Sequence, residues 1–285
     1  MKTQFVIAGA GYTGRRLAAR LLQQGAVTVI ARRAASVDSL DDNFDKIIAE
    51  LDTAAATSQI DADATIIYLA PPPTAGEDDP TFSAFLANLH GNPRVVYIST
   101  SGVYGDCDGA LVDESREPAP QTARALRRVA AEQALQDWSR DHNRQQVILR
   151  VSGIYGPGRL PLERLRRRTP VLRAEDAGPG NRIHIDDLVS CCVQAATLAT
   201  PPAVVNVCDG NHMSSTEFTR LVATEAGLPP PREIPLDQAR KEFTAMRWSF
   251  LAESRRLDNT CMRERLKVEL RYPDPRAGIR ASLPP

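Results

Sequence analysis

An α/β fold, a doubly wound parallel sheet with helices on both faces, is what this 285-residue chain predicts. Three observations predict it. Short apolar runs alternate with helical patterns through the first half, which is the signature of parallel strands joined by right-handed crossovers. The first run leads through Gly9-Ala-Gly11-Tyr-Thr-Gly14 into an amphipathic helix. A late run, Val204–Val207, offers one more strand to the same sheet.

The strands expected in the first half are Phe5–Ala8, Thr28–Ala31, Lys46–Ile48, Thr65–Leu69, Arg94–Ser99 and Gln146–Arg150. Between them lie helices over Thr13–Gln24, near Asp52–Ser58, and over Thr81–Leu89 and Ala123–Arg140. Leu17, Leu21 and Leu22 give the first helix its buried face. A later helix, Thr216–Ala226, has Thr216 as its cap and Gly227 at its end. Proline and glycine cluster at Pro71–Pro73, Gly156–Pro161, Gly178–Gly180, Pro201–Pro202 and Pro229–Pro231, each too short for a flexible linker. The basic run Arg164–Arg168 reads equally as a solvated helix face or as a phosphate-facing segment.

Composition excludes several classes. The 35 basic and 35 acidic residues cancel, so nothing global draws the chain to nucleic acid or a membrane surface. The five cysteines, 107, 191, 192, 208 and 261, form no Cys-x-x-Cys pair and no Cys/His cluster. A reduced, cytoplasmic protein without a metal site is the expectation. No run of about 18 apolar residues suggests a membrane span.

The glycine turn points to a dinucleotide. Gly9 permits the tight turn, Gly11 lets backbone approach a pyrophosphate, and Gly14 lets helix pack on strand, with Tyr12 and Thr13 between them. Eighteen residues after Gly14 the second strand ends in Ala31-Arg32-Arg33, where an NAD site carries an acid for the ribose hydroxyls. Arginine there suits a 2′-phosphate, so NADP is expected, with NAD as the alternative. Asp52 is placed to meet the adenine amino group, and Leu69-Ala70-Pro71 to wall the cofactor.

Beyond the glycine turn, three stretches carry a family resemblance: Val95-Val-Tyr-Ile-Ser-Thr-Ser-Gly-Val-Tyr-Gly105, Leu149-Arg-Val-Ser-Gly-Ile-Tyr-Gly-Pro-Gly158 and Ile183-His-Ile-Asp-Asp-Leu188. With Gly9–Gly14 they resemble the extended short-chain dehydrogenase/reductases, the NAD-dependent epimerase/dehydratase superfamily. The tail, Ser254-Arg-Arg-Leu-Asp-Asn and Tyr272-Pro-Asp-Pro275, is similar to a narrower bacterial group of atypical members, the YeeZ-like proteins. The resemblance implies that Thr100 is the catalytic hydroxyl and that a Tyr-x-x-x-Lys helix follows. The corresponding segment is Thr122-Ala-Arg124-Ala-Leu-Arg-Arg128, with Arg128 in the lysine's place, binding ribose, and Arg124 in the tyrosine's. An arginine does not shuttle a proton near pH 7. No tyrosine occurs between Tyr104 and Tyr155. Gly153 also stands where the family often has Asn.

Three readings stay open. A substitute acid/base exists, with Tyr104, Tyr155 and His184 as candidates. Or Thr100 alone polarises a carbonyl beside the nicotinamide. Or the protein binds NADP without chemistry, as a sensor or regulatory protein. The reading adopted is an epimerase/dehydratase-like oxidoreductase acting on a small polar or sugar-like substrate. Catalysis is assigned to Thr100 and Tyr104, and substrate contact to Ser101, Tyr155, Arg159 and His184. Residues 1–155 and 184–212 form a Rossmann-type dinucleotide domain; 156–183 and 213–285 form a smaller substrate subdomain. The assembly is a monomer or a homodimer. Arg124, Arg127, Arg128 and Arg140 would make the family's usual helical dimer seam polar.

Overall fold

A computed structural model describes residues 3–38, 40 and 43–284. Seven parallel strands form the central sheet: β1 (Gln4–Ala8), β2 (Ala26–Ala31), β3 (Asp45–Ile48), β4 (Thr65–Tyr68), β5 (Arg94–Thr100), β6 (Gln146–Val151) and β7 (Val204–Val207). Their order is β3-β2-β1-β4-β5-β6-β7, so the winding reverses between β1 and β4. Ile7 lies opposite Val29 on one side and Ile67 on the other. A ligand crevice forms at the carboxyl ends of the strands flanking such a reversal.

Alternate side chains of β1 serve two cores. Phe5 and Ile7 pack with Leu17 and Leu21 of α1 (Tyr12–Leu21), while Val6 and Ala8 pack with the opposite layer. That opposite layer is α2 (Pro80–Ala87) and α3 (Ala123–His142), which contribute Phe82, Phe85, Leu135 and Trp138. Burial on both faces explains why the strands read as continuous apolar runs. Asp79 caps α2, Thr122 caps α3, and Asn143 in the left-handed conformation ends α3.

A helix not anticipated from the sequence, α4 (Ile185–Thr197), lies beside α1 in the first layer. The later helix, α5 (Ser215–Glu225), starts one residue earlier than expected. Its cap is Ser214, in a capping box with Glu217; the Thr216 hydroxyl donates instead to the Leu172 carbonyl. Arg164–Arg168 lies in and after the short helix Leu162–Arg166; Arg164, Arg166, Arg167 and Arg168 are exposed, a solvated surface.

The second half divides its loyalties. Tyr155, Phe218, Val222 and Ile279 of the helix Pro275–Ser282 form a separate small core. Residues 256–257 pair in parallel with 111–112, and Cys261, Met262, Leu266 and Val268 join the core of the sheet. This part of the tail belongs with the dinucleotide half rather than with the substrate subdomain. The polar seam expected on α3 is also corrected. Arg127 is buried and donates to the Gly76 carbonyl, and Arg124 and Arg128 are engaged internally, which leaves Arg140 exposed beside Asp137. Among the described residues no helix is long and apolar enough to cross a membrane, and no His/Cys/Asp/Glu group is arranged to hold a metal. The five cysteines are buried and unpaired.

Candidate active site

The glycine turn is built as its spacing demands. Gly9 has φ +119°, a conformation L side chains rarely adopt. A Cβ on Gly14 would lie 2.1 Å from the Gly9 carbonyl oxygen, so helix and strand could not approach. A Cβ on Gly11 would meet nothing within 4 Å. Gly11 is the N-cap of α1 and no side chain caps that terminus, so backbone N–H groups remain for an anion. Arg15 pins the turn, donating to the carbonyls of Ala10 and Ser36.

A cavity of about 420 Å³ opens here. Gly9–Gly14 floor it, Arg32 and Arg33 stand at the end of β2, and Leu51, Leu69–Pro71, Ile98 and Arg128 complete the wall. Among the described residues, every charged one on that lining is an arginine. Arg32 and Arg33 are exposed. Arg128 donates to the Tyr97 hydroxyl and the Ile98 carbonyl, both at 2.8 Å, and borders this cavity. The free donors, the open Gly11 face and the basic rim fit a dinucleotide. Asp52 does not border the cavity; it is exposed, and its neighbour Leu51 does.

A second cavity of about 480 Å³ adjoins the first and shares Ile154 and Arg159 with it. Thr100, Ser101 and Tyr155 border it, as expected. The Thr100 hydroxyl accepts from the Gly102 N–H and is half-buried. Arg159 stacks on the Tyr12 ring at 4.1 Å, where Arg16 also sits at 4.0 Å, and the Tyr12 hydroxyl donates to the Pro157 carbonyl. Four arginines, Arg124, Arg159, Arg182 and Arg255, face one carboxylate, Glu253, around this space. Burial brings Arg182 down to about 10, partly opposed by Asp209, so it stays cationic at neutral pH. The Ser152 hydroxyl, also on the lining, has no partner among the described residues.

Two expectations fail here. Tyr104 is fully buried and donates to Asn206 Oδ1 at 2.7 Å, with Arg150 over its ring; it belongs to the packing beneath the site. His184 is buried between Tyr155 and Tyr272, caps α4 through the Asp186 N–H and shares a hydrogen bond with Ser282; it lines neither cavity. Tyr155 borders the cavity, yet its hydroxyl lies against Gly278 without a hydrogen-bond partner among the described residues. Arg124 points into the second cavity and binds Ser249 and the Phe250 ring of α6 (Ala245–Leu251). Sequence reasoning missed Arg182, Glu253 and Arg255. The Ser254-Arg-Arg segment was the available signal for the last two.

The family model for the NAD dependent epimerase/dehydratase family matches residues 83–208. Protein YeeZ of Escherichia coli (strain K12) is 27% identical over 287 residues, covering 94% of this chain and 96% of that protein. A functionally unknown conserved protein from Silicibacter pomeroyi, of known structure, is 29% identical with a TM-score of 0.79, over 98% of this chain and 97% of that one. The UDP-glucuronic acid 4-epimerase of Bacillus cereus, solved with UDP-glucuronic acid and NAD, superposes with a TM-score of 0.78 at 20% identity, over 98% of each chain. The glycine-turn cavity, the seven-stranded parallel sheet and these likenesses converge: over residues 83–208 the chain is similar to the NAD dependent epimerase/dehydratase family, and its fold is the one those epimerases share.

Proposed function

We propose that this protein is an NAD(P)-dependent oxidoreductase of the epimerase/dehydratase type, with NADP preferred, acting on a small polar or sugar-like anionic substrate. The carrying observation is the meeting of the two cavities at Ile154 and Arg159, with the glycine turn on one side and Thr100 on the other. When bound, a nicotinamide dinucleotide supplies a hydride acceptor or donor. Gly11 and the first turn of α1 hold its pyrophosphate, Arg128 its ribose hydroxyls, and Arg32 with Arg33 a 2′-phosphate. Thr100 hydrogen-bonds the reacting oxygen, Ser101 and Tyr155 border the substrate, and Arg124, Arg159, Arg182 and Arg255 neutralise its charge. The Bacillus cereus epimerase of the same fold holds a nucleotide-activated sugar acid beside NAD, a ligand of the anionic kind such a lining suits.

A second reading, a non-catalytic NADP sensor, is favoured by one observation: Arg124 stands where the family's tyrosine stands. Calorimetric titration with NADP, NADPH, NAD and NADH tests the cofactor assignment. Wild type should bind NADP(H) about tenfold or more tighter than NAD(H), and Arg32→Asp should reverse that order. Unchanged NADP affinity in the variant refutes the 2′-phosphate role. No binding of any of the four removes both readings. Ultraviolet absorbance of the reduced nicotinamide, followed while sugar nucleotides are added to the loaded protein, separates enzyme from sensor.

A further inference from the structure

A dinucleotide in one cavity and an anionic substrate in the next would lie side by side, each repelling the other. Two residues are common to both linings, Ile154 and Arg159, and of these only Arg159 carries charge. Arg159 is exposed. Among the described residues its guanidinium donates to no acceptor and pairs with no carboxylate; what it touches is the face of Tyr12, 4.1 Å from the ring centroid. A planar guanidinium presents N–H groups along more than one edge, enough for two anions at once.

The chain fixes where Arg159 stands. The Arg159 N–H donates to the Gly156 carbonyl at 2.9 Å, closing a tight turn over Gly156-Pro157-Gly158. Tyr12, inside the glycine turn, reaches across and clasps it: the Tyr12 hydroxyl donates to the Pro157 carbonyl at 3.0 Å. A Cβ on Gly156 would lie 2.6 Å from the Tyr12 hydroxyl oxygen and 2.5 Å from Ile185 Cγ2, so a side chain there would break the clasp. Arg16, the second guanidinium on the Tyr12 ring, donates to the Tyr12 carbonyl at 3.0 Å and borders neither cavity. Stacking on an aromatic face holds a guanidinium while leaving its in-plane N–H groups free. Tyr12 begins α1, beside the backbone donors for a pyrophosphate, and the same residue carries Arg159 to the boundary of the two cavities.

We propose that Arg159 is a shared clamp. One edge of its guanidinium binds the pyrophosphate of the dinucleotide and another binds the anionic group of the substrate, so each ligand strengthens the hold on the other. The inference rests on the function proposed above. The first anion to arrive fixes a long, exposed side chain, and the second meets it already fixed. The cation between them also offsets their repulsion. Arg32 and Arg33 border the first cavity alone, and Arg182 and Arg255 the second alone, so each of these serves one ligand.

The test follows NADPH leaving the protein, by the change in its nicotinamide fluorescence after a chase with excess NADP. Release is measured with and without inorganic pyrophosphate, at matched ionic strength. Loss of a bound ligand is unimolecular, so pyrophosphate cannot alter its rate by competing for the dinucleotide cavity. In wild type, pyrophosphate should slow NADPH release about fivefold. In Arg159→Ala, release should already be about tenfold faster, and pyrophosphate should not slow it. Arg159→Lys keeps the charge but not the planar stack, and should lie between the two. Equal slowing in wild type and Arg159→Ala, or no slowing in wild type, overturns the shared clamp and leaves the dinucleotide site standing. Failure of NADPH to bind wild type overturns the function proposed above, and the clamp with it.

Discussion

Arg128 shows how much a single side chain can be asked to carry. Its guanidinium is held by the Tyr97 hydroxyl and the Ile98 carbonyl, and the same group borders the dinucleotide cavity. Burial pushes the Tyr97 hydroxyl up to about 12, so it stays a neutral partner at any working pH. Arg128→Ala should weaken NADP and NAD by a similar factor, about tenfold, because ribose contacts do not depend on the 2′ group. It should also cost about 1–2 kcal/mol of stability, since a buried hydroxyl loses its partner. Calorimetry and denaturant melts check the two effects separately; a loss confined to NADP would assign Arg128 to the 2′-phosphate instead. Gly9–Gly14, Arg32 and Arg33 were legible because they sit within or just after one strand–turn–helix unit, and Arg128 because a family motif marks its helix. Arg182, Glu253 and Arg255 were not, because only the folded chain brings residues so far apart in sequence onto one lining. Tyr104 and His184 misled for the opposite reason: their motifs are local, but burial decides which way a side chain points.

At the level of elements, the alternation of apolar runs and helical patterns was enough to locate all seven sheet strands to within two residues. Helix α4 escaped notice although Ile185, Leu188, Val189, Cys192, Ala195 and Ala196 recur at helical spacing, because the stretch was read only for its His-Ile-Asp-Asp motif. The start of α5 was misplaced although Ser214-Ser-Thr-Glu217 carries the capping-box pattern. The junction of β1 and α1 has little tolerance. Gly14→Ala would place a methyl group 2.1 Å from the Gly9 carbonyl oxygen, and backbone cannot yield there as a flexible side chain would. The substitution should destabilise by ~2 kcal/mol or more and abolish dinucleotide binding, because α1 must shift away from the turn. A variant that melts and binds like wild type would show that the helix has room the geometry does not display.

At the scale of the whole molecule, one buried carboxyl, Asp209, ties stability to pH. Asp209 follows β7, is 5% exposed, and has Oδ1 bound to the Asn211 N–H while Oδ2 has no partner among the described residues. Burial pushes its carboxyl up from 3.8 to about 7, with Arg182 pulling the other way. The folded state thus holds a proton that the unfolded state has released between about pH 4 and 7. Stability from this group is full below that window and declines as pH rises through it. Asp209→Asn should flatten that decline, by ~3 kcal/mol at most, in denaturant melts compared at pH 5 and pH 8. An unchanged slope would place the pH dependence in another group.

The Asp187 carboxylate, fully buried on α4, has its two oxygens met by the backbone N–H groups of Arg271 and Tyr272. An acid in the layer that covers the nucleotide half therefore waits for chain made more than eighty residues later. Until that stretch has been synthesised, the layer over the sheet carries an uncompensated carboxyl in its interior, and residues 111–112 lack their strand partner at 256–257. The fold is in that sense written to close late: its N-terminal unit is recognisable from the first turn, but it becomes self-consistent only once the ribosome has delivered almost everything behind it.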